Sequence, residues 1–288
     1  MNQHELEQMI REVIRDMGGT GAKAAASSQP AGELNVTAPD IGALNLQETL
    51  YVENPINRDA YMDMKKASPA RLGVGRAGPR QHYKTMLRFR ADHAAAMDAV
   101  FNDVSDGTIQ ELGLFKVKTS APDKAEYLMN PAAGRVFDPE NEKLLRENCK
   151  PNPQVQVLVS DGLSSTSVEA NIRDILPSLF QGLKGHGLTM GTPVFIQYGR
   201  VGAMDAVADI LGSQVTILLL GERPGLVTDE SLSCYMTYNG RPGMAESART
   251  VVSNIYKNGT PPTEAGAHIA DIAKKMLASK ASGLDLKL

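Results

Sequence analysis

The 288-residue chain is predicted to be an α/β protein: a Rossmann-like parallel sheet with flanking helices in the C-terminal half, preceded by a mostly helical N-terminal lobe. Three observations predict it. Valine- and leucine-rich stretches of strand length at 154–160, 193–198 and 214–220 alternate with helical patterns. The third is nearly all apolar, as expected of a strand covered on both faces. The joins are short, which calls for parallel pairing through right-handed crossovers.

In chain order, Leu6, Met9, Ile10, Val13, Ile14 and Met17 recur at i, i+3, i+4 and i+7 spacing, one apolar stripe on a helix that Gly18-Gly19 ends. Residues 1–19 are therefore read as an amphipathic docking helix. Residues 20–43, rich in Ala, Gly, Ser and Pro, form a flexible linker with little to bury. A helix on such a tether either buries its stripe on a partner or folds back on its own domain; the tether does not force the second.

Residues 44–150 read as a mostly helical lobe. Pro79 is placed to open a helix that buries Met86, Leu87, Ala94, Met97, Val100 and Phe101. A short strand fits 114–117 and a helix 138–148. Residues 151–288 form the sheet domain. After its first strand comes a helix over 164–185, with Val168, Ile172, Ile175, Leu176, Leu179, Phe180 and Leu183 on one side. Thr166 and Glu169 have capping-box spacing, and Pro177 should kink or interrupt that helix. A helix at 203–211, closed by Gly212, precedes the third strand. A further strand fits 234–238, and Thr260-Pro261 begins a last helix carrying Ala265, Ile269, Ile272, Met276 and Leu277.

Composition narrows the function. A net charge of −3 and the lack of tryptophan argue against general nucleic-acid binding. No apolar stretch is long enough to span a bilayer, and the acidic N-terminus lacks a signal core, so neither membrane nor secretion is expected. Cys149 and Cys234 lie far apart, which suits a reducing cytoplasm. The five histidines lack metal-ligand spacing, so no metal site is predicted. P-loop, GxSxG and HExxH motifs are absent, and no Ser, His and Asp grouping stands out. That points to a chain that does not itself carry the chemistry, and no catalytic residue is assigned.

Gly73-Val74-Gly75-Arg76-Ala77-Gly78 matches the dinucleotide fingerprint letter for letter. The fingerprint requires a preceding strand, a following helix and a later acidic residue. Here the preceding Lys65-Lys66-Ala67-Ser68-Pro69-Ala70 cannot be a buried strand. What survives is a glycine loop with Arg71, Arg76, Arg80, Arg88 and Arg90, either an anion-binding interface or a solvated basic face. The second candidate region is the loops beyond the strand ends: Asp161-Gly162-Leu163-Ser164, Gly199-Arg200-Val201-Gly202 and Gly221-Glu222-Arg223-Pro224-Gly225. Glu222 can accept from amide N–H groups, and Arg200 and Arg223 can donate to carbonyls or phosphate. Taken alone, Glu222-Arg223 is equally an exposed ion pair. A nucleotide-binding oxidoreductase and a non-catalytic scaffold module both remain open on these residues.

The motif series resembles the small subunit of adenosylcobalamin-dependent ethanolamine ammonia-lyase. It runs through Val52-Glu53-Asn54-Pro55, Gly75-Arg76-Ala77-Gly78-Pro79-Arg80, Ser160-Asp161-Gly162-Leu163-Ser164, Tyr198-Gly199-Arg200-Val201, Gly221-Glu222-Arg223-Pro224-Gly225, Ser231-Leu232-Ser233-Cys234-Tyr235 and Gly259-Thr260-Pro261-Pro262. The resemblance implies a subunit that works with a large (β/α)8-barrel subunit, adenosylcobalamin lying between them, in radical deamination of ethanolamine to acetaldehyde and ammonia. It implies cofactor contacts at Val201, Glu222 and Val251; the family can carry cysteine at the third, so a contact through sulfur is lost here. Arg223 is added from its charge and position. No DxHxxG motif occurs, which resembles the family's base-on cofactor mode. The resemblance also implies a cytoplasmic location inside a bacterial microcompartment, with the N-terminal helix as the peptide that binds the shell.

Overall fold

The computed structural model describes residues 40–287, so the expected helix at 1–19 and most of the linker lie outside the described residues. Residues 41–287 belong to one compact unit. Its centre is a six-stranded sheet in the order β3-β5-β4-β6-β7-β8. The strands are β3 (Phe115–Lys118), β4 (Val155–Ser160), β5 (Val194–Gln197), β6 (Val215–Gly221), β7 (Leu232–Tyr238) and β8 (Thr250–Ile255).

The expected parallel sheet is mixed. β3, β5, β4 and β6 pair in parallel, but β7 is antiparallel to β6, and β8 is antiparallel to β7. A parallel return needs a crossover of a dozen or more residues, usually helical. The segment between β6 and β7 has no helix, and that between β7 and β8 has only a 3-10 turn at Glu246–Ala248, so the chain doubles back each time. β8 was not anticipated. It is an edge strand buried only at its first and last residues, and its polar Ser253-Asn254 gives no apolar run.

Helices cover both faces. α6 (Ser165–Gly185) and α8 (Pro262–Ser279) bury Ile172, Ile175, Leu179, Ile269 and Met276 against Val155, Val157, Val159, Ile217 and Leu219. α5 (Pro139–Asn148) and α7 (Ala203–Leu211) bury Leu145, Met204 and Val207 against Leu158, Ile196, Leu218 and Leu220 on the other face. Alternate strand residues thus feed opposite cores.

Two local expectations for α6 need correction. Ser164, not Thr166, is its N-cap, accepting from Ser167 N–H at 3.0 Å. Glu169 instead accepts from Ser105 N–H at 2.8 Å and Thr108 Oγ1 at 2.6 Å, which ties α3 (Asp106–Glu111) to α6. The helix also runs unbroken through Pro177. The lost amide hydrogen bond is outweighed by the fully buried Ile172, Ile175, Leu176 and Leu179 around it.

The first half contains α1 (Arg58–Lys66), a hairpin of β1 (Arg76–Ala77) and β2 (Arg80–Gln81), α2 (Tyr83–Phe101), α3 and α4 (Lys124–Met129). Gly78-Pro79 makes the hairpin turn rather than opening a helix, and α2 begins after His82. The apolar face expected to be buried on α2 is exposed: Met86, Leu87, Met97 and Phe101 all face solvent. β3 joins the main sheet as its edge strand.

Candidate functional site

The turn after β4 leads to α6 on one face of the sheet, and the turn after β5 leads to α7 on the other. Such divergence opens a crevice beyond the strand ends, the usual ligand position in sheets of this kind. Here the chain's own residues fill it. Tyr198 adopts a left-handed backbone, φ 61°, and its N–H donates to Asp161 Oδ1 at 2.8 Å. The Tyr127 ring stacks on Tyr198 with centroids 5.7 Å apart, and its hydroxyl donates to the Gly199 carbonyl at 3.0 Å. Lys124 Nζ lies 3.6 Å from Asp161 Oδ2 and sits over the Tyr198 ring. Arg200 turns inward, its guanidinium over the Tyr127 ring and donating to the Tyr127 carbonyl at 3.0 Å. A Cβ on Gly199 would lie 2.6 Å from Ser160 Oγ, and one on Gly221 would strike the carbonyls of Asp161 and Ser164. The glycines therefore serve the packing of the turns on one another. Asp161 is fully buried, and burial pushes its carboxyl up to about 6, opposed by Lys124 and the Tyr198 N–H. Of the three expected loops, 161–164 is the most buried, with only Leu163 part-exposed.

The remaining strand ends present an open face. Glu222 follows β6, is half-buried, and accepts from the Tyr235 hydroxyl at 2.6 Å. It does not pair with Arg223, which is exposed and has no ion-pair or hydrogen-bond partner among the described residues. Tyr235 lies in β7, directly opposite Val251 of β8. Directly opposed residues share a face, and the Tyr235 ring packs against the same core cluster as Val201. Val251 is 46% exposed, because α5 and α7 cover that face only as far as β6. Arg249, buried at the start of β8, bonds Asp205 of α7 and Glu246, fastening β8 to the helix that follows Val201. Glu222 and Val251 thus border one surface through Tyr235, while Val201 packs on the core beneath α7. Sequence reasoning quoted Tyr235 within a motif but did not place it in the site. Burial, and then its bond to the Glu222 carboxylate, push the Tyr235 hydroxyl well above the ordinary tyrosine range, so it stays a donor at physiological pH.

The glycine loop of the first half serves packing at Gly75. Gly75, at φ 71°, packs its backbone onto Tyr51, where a Cβ would lie 2.6 Å from the Tyr51 carbonyl oxygen. Arg71 and Arg88 are committed to Asp92 at 2.7 and 2.8 Å, while Arg76, Arg80 and Arg90 are exposed. Arg71 also donates to the Leu226 carbonyl at 2.5 Å, joining α2 to the loop that begins at Glu222. An open groove of about 940 Å³ lies along this junction, lined by Arg71, Arg88, Asp92, Thr228 and Tyr256 among others.

These features define a class: an α/β chain whose strand-end crevice is filled by its own side chains and whose open face carries a carboxylate, a tyrosine and an exposed valine. The chain belongs to the ethanolamine ammonia-lyase light-chain family. The sequence model described as "Ethanolamine ammonia-lyase light chain (EutC)" matches residues 58–287. The chain is 50% identical over 293 residues to an ethanolamine ammonia-lyase small subunit of Clostridium tetani, covering all of this chain and 99% of the relative. It is 48% identical over 295 residues to one of Clostridium perfringens, with both chains covered in full. It is 47% identical over 293 residues to one of Listeria innocua, again covering both completely. The family is thus that of a lyase subunit. No helix among the described residues is long and apolar enough to cross a membrane.

Proposed function

We propose that this chain is the subunit that holds adenosylcobalamin against a large (β/α)8-barrel partner for the deamination of ethanolamine to acetaldehyde and ammonia. The observation that carries this reading is the uncovered face bordered by Glu222, Tyr235 and Val251, on a chain whose relatives bear the name small subunit. An open, half-apolar face beside the strand ends suits a role in positioning a cofactor that another chain completes. The parallel strands β5, β4 and β6 are the Rossmann-like part of the proposed cofactor domain, 151–288, and the lobe 44–150 adds β3 to their edge.

The residues fit the cofactor's chemistry. A corrin ring carries amide side chains that donate hydrogen bonds, and its rim is otherwise apolar. Glu222 supplies an acceptor whose Oε1 is already fixed by Tyr235. Charge-assisted hydrogen bonds to a carboxylate are the stronger ones. Val201 and Val251 offer apolar bulk, so the valine at 251 serves by contact without sulfur. Arg223 is free to donate to carbonyl or phosphate oxygens at the rim. When bound, adenosylcobalamin supplies radical chemistry at the substrate; this chain's residues bind, orient and exclude water.

The base-on mode follows the resemblance, and two of the four described histidines are engaged within the chain. His186 pairs with Asp271 at 2.7 Å at the end of α6 remote from the strand-end loops, and His82 stacks on Tyr51. His93 and His268 are exposed on α2 and α8. We further read residues 1–19 as the peptide that brings the assembly to a microcompartment shell in the cytoplasm, on the strength of the stripe from Leu6 to Met17. Deleting residues 1–19 should abolish shell localisation and spare activity; unaffected localisation would remove that role.

The test of the main reading is reconstitution. Co-purified with the large subunit, the chain should support acetaldehyde formation from ethanolamine only when adenosylcobalamin is added. A pair that forms but shows no such activity would refute the reading.

A further inference from the structure

α2 is a 19-residue helix that buries only Thr85 and Ala99. Its residues Tyr83, Leu87, Arg90, Ala94, Met97 and Phe101 are spaced alternately by four and three, and all are exposed. At about 100° per residue they fall within about 40° of a single line along the helix. Thr85, Ala99 and Asp92 lie on the opposite side, and Asp92 is held there by Arg71 and Arg88. The stripe therefore points directly away from the body of the chain. Tyr83 and Phe101 are each 59% exposed, Met97 47% and Leu87 44%, so the stripe is large and apolar rather than incidental.

A repeat alternating four and three is the pattern of a helix that packs along another helix, knobs into holes. We propose that this stripe is a docking seam for a helix of the large subunit. The inference rests on the two-subunit reading above and adds to it the surface that makes the contact.

The charge in the seam selects the occupant. Arg90 sits mid-stripe, exposed and with no hydrogen bond or ion pair among the described residues. Two copies of the chain paired through their stripes would bring two Arg90 side chains together. A parallel pair sets them in one layer; an antiparallel pair centred on the stripe sets them about 6 Å apart along the axis. Like charges desolvated between apolar layers oppose that pairing. A helix with apolar side chains on either side of one carboxylate complements the stripe instead. Seam and cofactor face also belong to one body, because Arg71 fastens α2 to the Leu226 carbonyl in the loop that starts at Glu222.

The test uses the full chain co-expressed with an affinity-tagged large subunit. The double substitution Leu87→Asp, Met97→Asp changes exposed residues only, so melting should follow the wild type. It should lower the amount co-eluting with the large subunit at least tenfold. Arg90→Glu should lower it several-fold. Should the double variant misfold, Met97→Cys gives a second measurement: in the assembled pair the new thiol should resist a maleimide that labels it in denaturant. Cys149 and Cys234 are buried and give the background. Undiminished co-elution of a folded double variant, or rapid labelling of Cys at position 97 in the intact pair, would overturn the proposal. So would sedimentation showing a dimer of this chain alone that the double variant lacks. If the wild-type chains themselves fail to pair, the two-subunit reading fails, which is a distinct outcome from an active pair indifferent to the seam.

Discussion

β4 and β6 bury every one of their residues, whereas α2, longer than both together, buries two. The two regions belong to one chain and draw on similar apolar side chains. In the sheet, Leu158, Ile217 and Leu218 are sandwiched between helices of the same chain. On α2, Leu87, Met97 and Phe101 face outward. Eight of the fourteen large apolar side chains exposed among the described residues lie between Ile56 and Phe101, a concentration that scattered surface leucines do not produce. The sheet completes its own core. The first half carries apolar surface that the described residues leave uncovered, the surface proposed above as the docking seam.

The largest effect expected from this contrast is in the sheet. Leu158→Ala should lower the stability of the chain by about 2–5 kcal/mol, while Leu87→Ala should change it by no more than about 0.5 kcal/mol. Denaturant unfolding of the two variants measures the difference. Equal losses would mean that α2 is packed within this chain and would break the comparison.

A second prediction concerns the buried Asp161 in the filled crevice. The Asp161 carboxyl titrates near 6 in the folded chain, against an ordinary value of 3.8. Between those values the folded state keeps a proton that the unfolded state has released, so stability falls as pH rises through the window, and the full penalty is present above it. The loss is roughly 1–3 kcal/mol. Asp161→Asn keeps an acceptor for the Tyr198 N–H and should abolish this slope in unfolding measured at pH 4, 5 and 7. A slope that persists would assign the titration to another group.

The smallest effect concerns the open face. Tyr235→Phe removes one hydrogen bond to Glu222 and leaves the ring packing intact. The fold should be unaffected and adenosylcobalamin affinity of the assembled pair should fall about threefold to tenfold. An unchanged affinity would show that Glu222 is held without Tyr235.

The parts legible in the sequence were those whose environment is uniform. β4, β5 and β6 are covered on both faces, so each is a plain apolar run, and α6 and α8 each bury one continuous stripe. β8 was illegible because only Thr250 and Ile255 are buried and the residues between them are mixed. The antiparallel sense of β7 follows from a connection without a helix, which a list of strands does not reveal. Pro177 misled because propensity was weighed without the packing around it. Glu222 was identified by resemblance, but its partner Tyr235 lies across the β6–β7 turn, and that pairing exists only once β7 doubles back. The closure of the crevice was likewise hidden, since Lys124 and Tyr127 enter it from a segment far earlier in the chain.

The account stands most directly on equilibrium binding of adenosylcobalamin to the assembled two-subunit complex, compared between the wild type and Glu222→Ala. It predicts a complex that still assembles and melts normally but retains the cofactor at least tenfold more weakly. Wild-type cofactor affinity in the Glu222→Ala complex would contradict the assignment of the Glu222, Tyr235 and Val251 face as the cofactor's seat.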